Sequence, residues 1–262
     1  MSQTVLNIIS FLFPLAASLI CILLIVQLRQ KGISRTLFTA LFFCFALHFF
    51  YELAIQIDII TIEPIFYLIF LPASYAIGPI LYIYNKSLLS RKFVFKPKYR
   101  LHFFISIGVF LISVAMHLYY GSKDFGVIIS NYEPEQLPGR VNQGRILFLL
   151  LKTTFFYVHL LAYYLLIARD QAKHKKRYGK YYADYEKRNE RLLFRIFLSL
   201  LGIIITQLVI QVLKLDIALV TVTANFFSAV LIVVMYLAGK KQIEIRKYRM
   251  YKLSSHEHQI KS

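Results

Sequence analysis

With 262 residues, 58% of them hydrophobic, and a mean hydropathy of +0.59, this chain is too apolar for a water-soluble globule of its length. Only 17% of the residues are charged, yet they leave a net charge of +18. Most of these charges sit in the connectors and the tail that flank long apolar stretches, which excludes the evenly solvated surface of a soluble enzyme and reads as a topology signal before any nucleic-acid binding.

Seven apolar stretches follow one another: 5–27, 36–55, 64–84, 101–119, 146–168, 193–213 and 217–238. Each approaches the ~20 residues a helix needs to cross a hydrocarbon core of ~30 Å. Within such a core the backbone is satisfied inside each helix, and the helices pack on one another. The expected fold is all-α: a seven-transmembrane-helix bundle over residues 1–238, followed by a basic cytoplasmic tail or linker, 239–262.

The first stretch has no Lys or Arg in Met1–Asn7 and no small-residue cleavage site, so it is expected to be a retained helix and not a signal peptide. The second carries His48 and Glu52, one helical turn apart on one face. In the third, Pro72 and Pro79 lie seven residues apart with Gly78 between them. Each proline removes a backbone donor, so Pro72, Gly78 and Pro79 are expected to form a kink or hinge. After the fourth stretch, the connector Tyr120–Arg145 contains Gly121, Gly126, Pro134, Pro138 and Gly139. It reads as an irregular loop, either a ligand-contacting lid or a tolerated insertion.

Lys152 stands near the start of the fifth stretch, beside Thr153 and Thr154. The connector after it, Arg169–Arg191, opens with Lys173-His-Lys-Lys-Arg177 and continues with Tyr178, Tyr181, Tyr182 and Tyr185. That is a basic amphipathic stretch with an aromatic face, suited to anionic lipid headgroups. Gln207 and Gln211 share a face of the sixth stretch, and Thr221 and Asn225 a face of the seventh. The two cysteines, Cys21 and Cys44, fall inside apolar stretches and read as small core residues.

Orientation follows from the connectors. One alternating set, with the tail, holds 26 of the 31 Lys and Arg and 6 of the 13 acids. Positive charge stays in the cytoplasm, so the N-terminus is expected outside and the C-terminus inside. Glu52, His48, Lys152, Gln207, Gln211 and Asn225 then fall in the outer half of the bundle. Ionisable residues at that depth suggest an outward-facing pocket for a small polar ligand, with a Glu52–Lys152 ion pair. Their bland reading is snorkelling and hydrogen-bonded glue between helices. No paired catalytic carboxylates, nucleophilic triad or ligand-spaced metal cluster can be placed at one depth, so neither an enzyme nor a cofactor is expected. The last helix has no lysine for a retinal Schiff base.

The stretch Leu71–Phe104, with Gly78-Pro-Ile-Leu-Tyr-Ile-Tyr84, Lys86-Ser-Leu88, Phe93–Lys98 and Leu101-His-Phe-Phe104, resembles the seven-helix sensor half of bacterial membrane-bound AraC-type transcriptional regulators. Lys247-Tyr-Arg-Met-Tyr-Lys-Leu-Ser254 is similar to the linker leading to their DNA-binding domain. Where that family often has Trp-Leu-Arg before the sixth helix, this chain has Leu192-Leu-Phe-Arg195. The resemblance implies a sensor in the bacterial inner membrane, a possible homodimer, passing an outer or bilayer-borne signal to a cytoplasmic DNA-binding module. No helix-turn-helix domain lies within the 262 residues, so direct nucleic-acid binding is not expected of this chain. The alternatives are a small transporter or channel, or a non-catalytic membrane scaffold.

Overall fold

The computed structural model describes residues 33–56, 66–89, 93–129 and 138–178, together with 15, 16, 18–23, 25, 230, 233 and 237. All regular structure among them is helical. Helix α1 spans Ile33–Gln56 and α2 spans Tyr67–Leu89; a 3-10 turn, Pro97–Phe103, leads into α3, Phe104–Ile129. Helix α4 covers Gly139–Leu150, a π turn covers Leu151–Phe155, and α5 runs Phe156–Tyr178.

Among the described residues, three helical stretches are long and apolar enough to cross a membrane: Ile33–Tyr51, Tyr67–Leu89 and Pro97–Ile129. They match the second, third and fourth expected spans. The fifth falls across α4, the π turn and α5, so it is not one uninterrupted α-helix. Around it, the described residues of the first stretch are helical, with Ser18 and Cys21 fully buried. The sixth stretch lies outside the described residues, as does the seventh apart from helical Val230, Val233 and Leu237.

Side-chain pairs give the helix directions. Ser34 meets Ser87, Phe38 stacks on Tyr84, His48 meets Ser74 and Tyr51 packs by Tyr67, so α1 and α2 are antiparallel. Tyr82 packs on His102 while Tyr67 packs on Phe125, which sets α3 against α2. Tyr75 with His159 and Lys86 with Asp170 make α2 and α5 parallel. The chain thus reverses at each long connector, as a multi-pass bundle requires. Among the described helices α2 lies at the centre, touching α1, α3 and α5, and is buried along most of its length. The outward faces of α3 and α5 are apolar and exposed, including Ile107, Leu111, Leu118, Val158 and Leu165. Such rows suit lipid.

Where it is described, the connector Tyr120–Arg145 differs from its expected irregular form; its residues 130–137 lie outside the described residues. Residues 122–129 are helical, following a single break at Gly121 (φ 73°, ψ 161°), a left-handed conformation that favours glycine. Phe125, Ile128 and Ile129, at i, i+3 and i+4, form an apolar stripe that is wholly buried. Phe125 rests on the rings of His117 and Tyr67, so this short helix folds back as a cap over one end of the bundle. Glycines and prolines signalled a loop, but the stripe between them had a surface to bury against. Gly144 lets α4 press against the cap, since a Cβ there would stand 2.7 Å from both Ile128 Cδ1 and Tyr120 Cζ. Arg140 adds an exposed ion pair to Asp124 at 3.0 Å.

Candidate functional site

Helix α2 runs unbroken through Pro72 and Pro79. A proline has no N–H to give to the carbonyl four residues earlier, so Pro79 frees the carbonyl of Tyr75. That buried oxygen needs another donor. It receives one from His159 of α5, whose Nε2 lies 2.9 Å away. A carbonyl only accepts, so His159 carries a proton on Nε2. Gly78 makes the approach possible: a Cβ there would come within 2.7 Å of Tyr163 Cδ2 and 3.4 Å of His159 Nε2. Gly78 and Pro79, expected as hinge residues, form the seat on which α5 docks.

Tyr75 makes a second tie. Its hydroxyl donates to the carbonyl of Leu151 at 2.5 Å, where the helical pairing changes from i+4 to i+5. Single π turns inside α-helices recur at functional sites. The next residue in this turn is Lys152, whose Nζ sits 5.0 Å over the Tyr51 ring of α1. A cation on an aromatic face is favourable in a desolvated setting.

His48 stands one turn before Glu52 in α1. Its Nδ1 lies 3.0 Å from Ser74 Oγ, and Ser74 donates in turn to the Phe70 carbonyl at 3.1 Å. The hydroxyl's one proton is thereby engaged, so His48 is the donor to it. Phe156, the first residue of α5, lies between the two helices: it stacks on His48 at 6.0 Å and meets Tyr75 edge-on at 5.6 Å. His48, Ser74, Tyr75, Tyr51, Lys152, Phe156 and His159 therefore form one polar and aromatic cluster joining α1, α2, the π turn and α5. Above it, Tyr51 and Tyr67 pack at 5.9 Å, and Tyr67 meets Phe125 of the cap at 5.6 Å.

A second cluster ties α2 to α5 at the opposite, basic end. Lys86 and Asp170 pair at 2.7 Å, with Asp170 nearly buried. The Gln171 amide donates to Asn85 Oδ1 at 3.0 Å. His102 Nδ1 lies 3.1 Å from the Tyr163 hydroxyl, which donates to the His102 carbonyl at 3.0 Å. Tyr82 packs against both rings.

No family model matches the chain, and no curated protein matches it.

Of the expected site residues, the structure brings His48 and Lys152 into one cluster. Glu52 lies in α1, but its side chain, and with it the expected Glu52–Lys152 pair, falls outside the described residues. So do Gln207, Gln211 and Asn225. Among the described residues no three His, Cys, Asp or Glu side chains gather as metal ligands. Sequence reasoning did not place Tyr75, His159 or the Lys86–Asp170 pair among the site residues. The freed carbonyl of Tyr75 was legible as the position four before Pro79; its partner, 84 residues away, was not.

Proposed function

We propose that the chain is a non-catalytic sensor domain, a seven-helix bundle with its N-terminus outside, in which an outer or bilayer-borne ligand biases the packing of α5 on α2. The observation that carries this reading is the tie from His159 to the carbonyl freed by Pro79, beside the π turn that presents Lys152. Backbone carbonyls served by side chains of another helix can exchange donors, which suits an element with two packings. The cap over residues 122–129 would face the outside, with the His48–Lys152 cluster beneath it. The signal would then pass along α2 and α5 toward the cytoplasmic face and the 239–262 tail, and on to a DNA-binding module of the kind the AraC-type resemblance implies.

For such coupling the ligand must bind one packing better than the other. Thermal unfolding of the purified protein against a panel of small polar solutes and lipids tests it. A compound that raises the Tm of the wild type but not of Lys152→Ala or His48→Ala supports the reading. If both variants match the wild type and no compound stabilises any of them, the ligand site is lost. Solute flux in proteoliposomes, abolished by Lys152→Ala, would instead favour a transporter using the same polar seam.

A further inference from the structure

Between α2 and α3 the chain makes a compact basic turn that the sensor reading does not use. Residues 93–96 are irregular, with Lys96 in an extended conformation, and Pro97 opens the 3-10 turn. Phe93 stacks on Tyr99 at 5.6 Å and Phe95 leans on the same ring at 5.8 Å. The Tyr99 N–H closes the turn on the Lys96 carbonyl at 2.9 Å. Three aromatic rings thus hold Lys96, Pro97 and Lys98 at a defined tip. Lys96, Lys98 and Arg100 are all exposed. Among the described residues none of the three is bridged to a carboxylate, and Asp170, the acid at this end, is held by Lys86.

The same turn exposes apolar groups where a solvated loop would hide them. Val94 is 65% exposed, Leu101 60% and Phe104 63%, with Phe95 beside them. They run without interruption into the exposed apolar row of α3, which belongs to the longest membrane-compatible stretch among the described residues, Pro97–Ile129. An acidic protein or a nucleic acid would satisfy the three cations and leave Val94 and Leu101 in water. A bilayer surface satisfies both, with hydrocarbon at the depth of the apolar side chains and phosphates at the reach of the long basic ones.

We propose that Lys96, Lys98 and Arg100 form a binding site for the phosphates of anionic phospholipids, with Val94 and Phe95 seated among the first acyl carbons. It is distinct from the basic 169–191 connector and rests on α3 spanning the membrane, not on the sensor reading.

The chain contains no Trp, so Phe95→Trp supplies a single fluorophore at the turn. The full chain carrying it is reconstituted into phosphatidylcholine vesicles holding a minority of phosphatidylglycerol. Either lipid is brominated on its acyl chains in turn, at the same mole fraction, and the quenching is compared. One basic residue near an anionic surface enriches acidic lipid about fivefold, so brominated phosphatidylglycerol is expected to quench at least about twofold more strongly. The preference should vanish in Lys96→Gln/Lys98→Gln/Arg100→Gln, with quenching by brominated phosphatidylcholine retained, and should weaken in high salt. Equal quenching by the two lipids, or a preference that survives the triple substitution, overturns the site. Quenching by neither lipid overturns it too, and removes the placement of this turn at the bilayer. An unchanged Tm for the variants shows that loss of preference is not loss of fold.

Discussion

At the basic end of the α2–α5 seam, Lys86 holds Asp170 and Gln171 holds Asn85. At the capped end, the ties from His159 and Tyr75 finish on backbone carbonyls of Tyr75 and Leu151. The first arrangement joins side chains of opposite or complementary character and is satisfied in one register only. The second borrows oxygens whose usual helical pairing Pro79 and the π turn have altered. On the proposed sensor reading, the first end would serve as a pivot and the second as the place where packing changes, on one pair of parallel helices.

The largest test removes the pivot. Asp170→Ala is expected to cost about 2–3 kcal/mol in unfolding experiments in detergent, because Lys86 is left half-buried without its anion. Replacing both partners, Lys86→Met with Asp170→Leu, should recover most of that loss. A single substitution without effect would erase the difference between the two ends.

A middle-sized effect sharpens the contrast. His159→Phe is expected to cost about 1–2 kcal/mol by leaving the Tyr75 carbonyl without its donor. In a Pro79→Ala background the helix regains its own N–H for that carbonyl, and the same substitution should then cost little. Equal costs in both backgrounds would show that His159 acts by packing alone. The smallest effect belongs to the cap: Asp124→Asn breaks an exposed pair with Arg140 and should change stability by less than about 0.5 kcal/mol. A loss several times larger would show that the Arg140–Asp124 pair, and not the buried apolar stripe alone, holds the cap in place.

Much of the fold was legible because hydrocarbon leaves few choices. Apolar stretches of the right length at 36–55, 64–84 and 101–119 correspond to the three membrane-compatible helices. The 120–145 connector was misread as irregular because Gly121 and Gly126 outweighed the Phe125, Ile128 and Ile129 stripe, whose burial depends on Tyr67 and His117 far away in sequence. The candidate site was legible only in outline. His48 and Lys152 stood out as costly residues for a membrane interior, whereas Lys86 and Asp170 looked like ordinary connector charges.

Composition and the spacing of charge were enough to set helix as the building element and to place the central spans, since both depend on local transfer of apolar residues out of water. Pro79 likewise dictated, by itself, that the Tyr75 carbonyl would need a foreign donor. Which donor arrives was decided by tertiary structure alone. Gly78 brings α5 close enough for His159 to reach, and the parallel register that sets His159 on Tyr75 also sets Asp170 on Lys86. That register depends on side chains meeting across more than eighty residues of chain, and no local pattern specifies it.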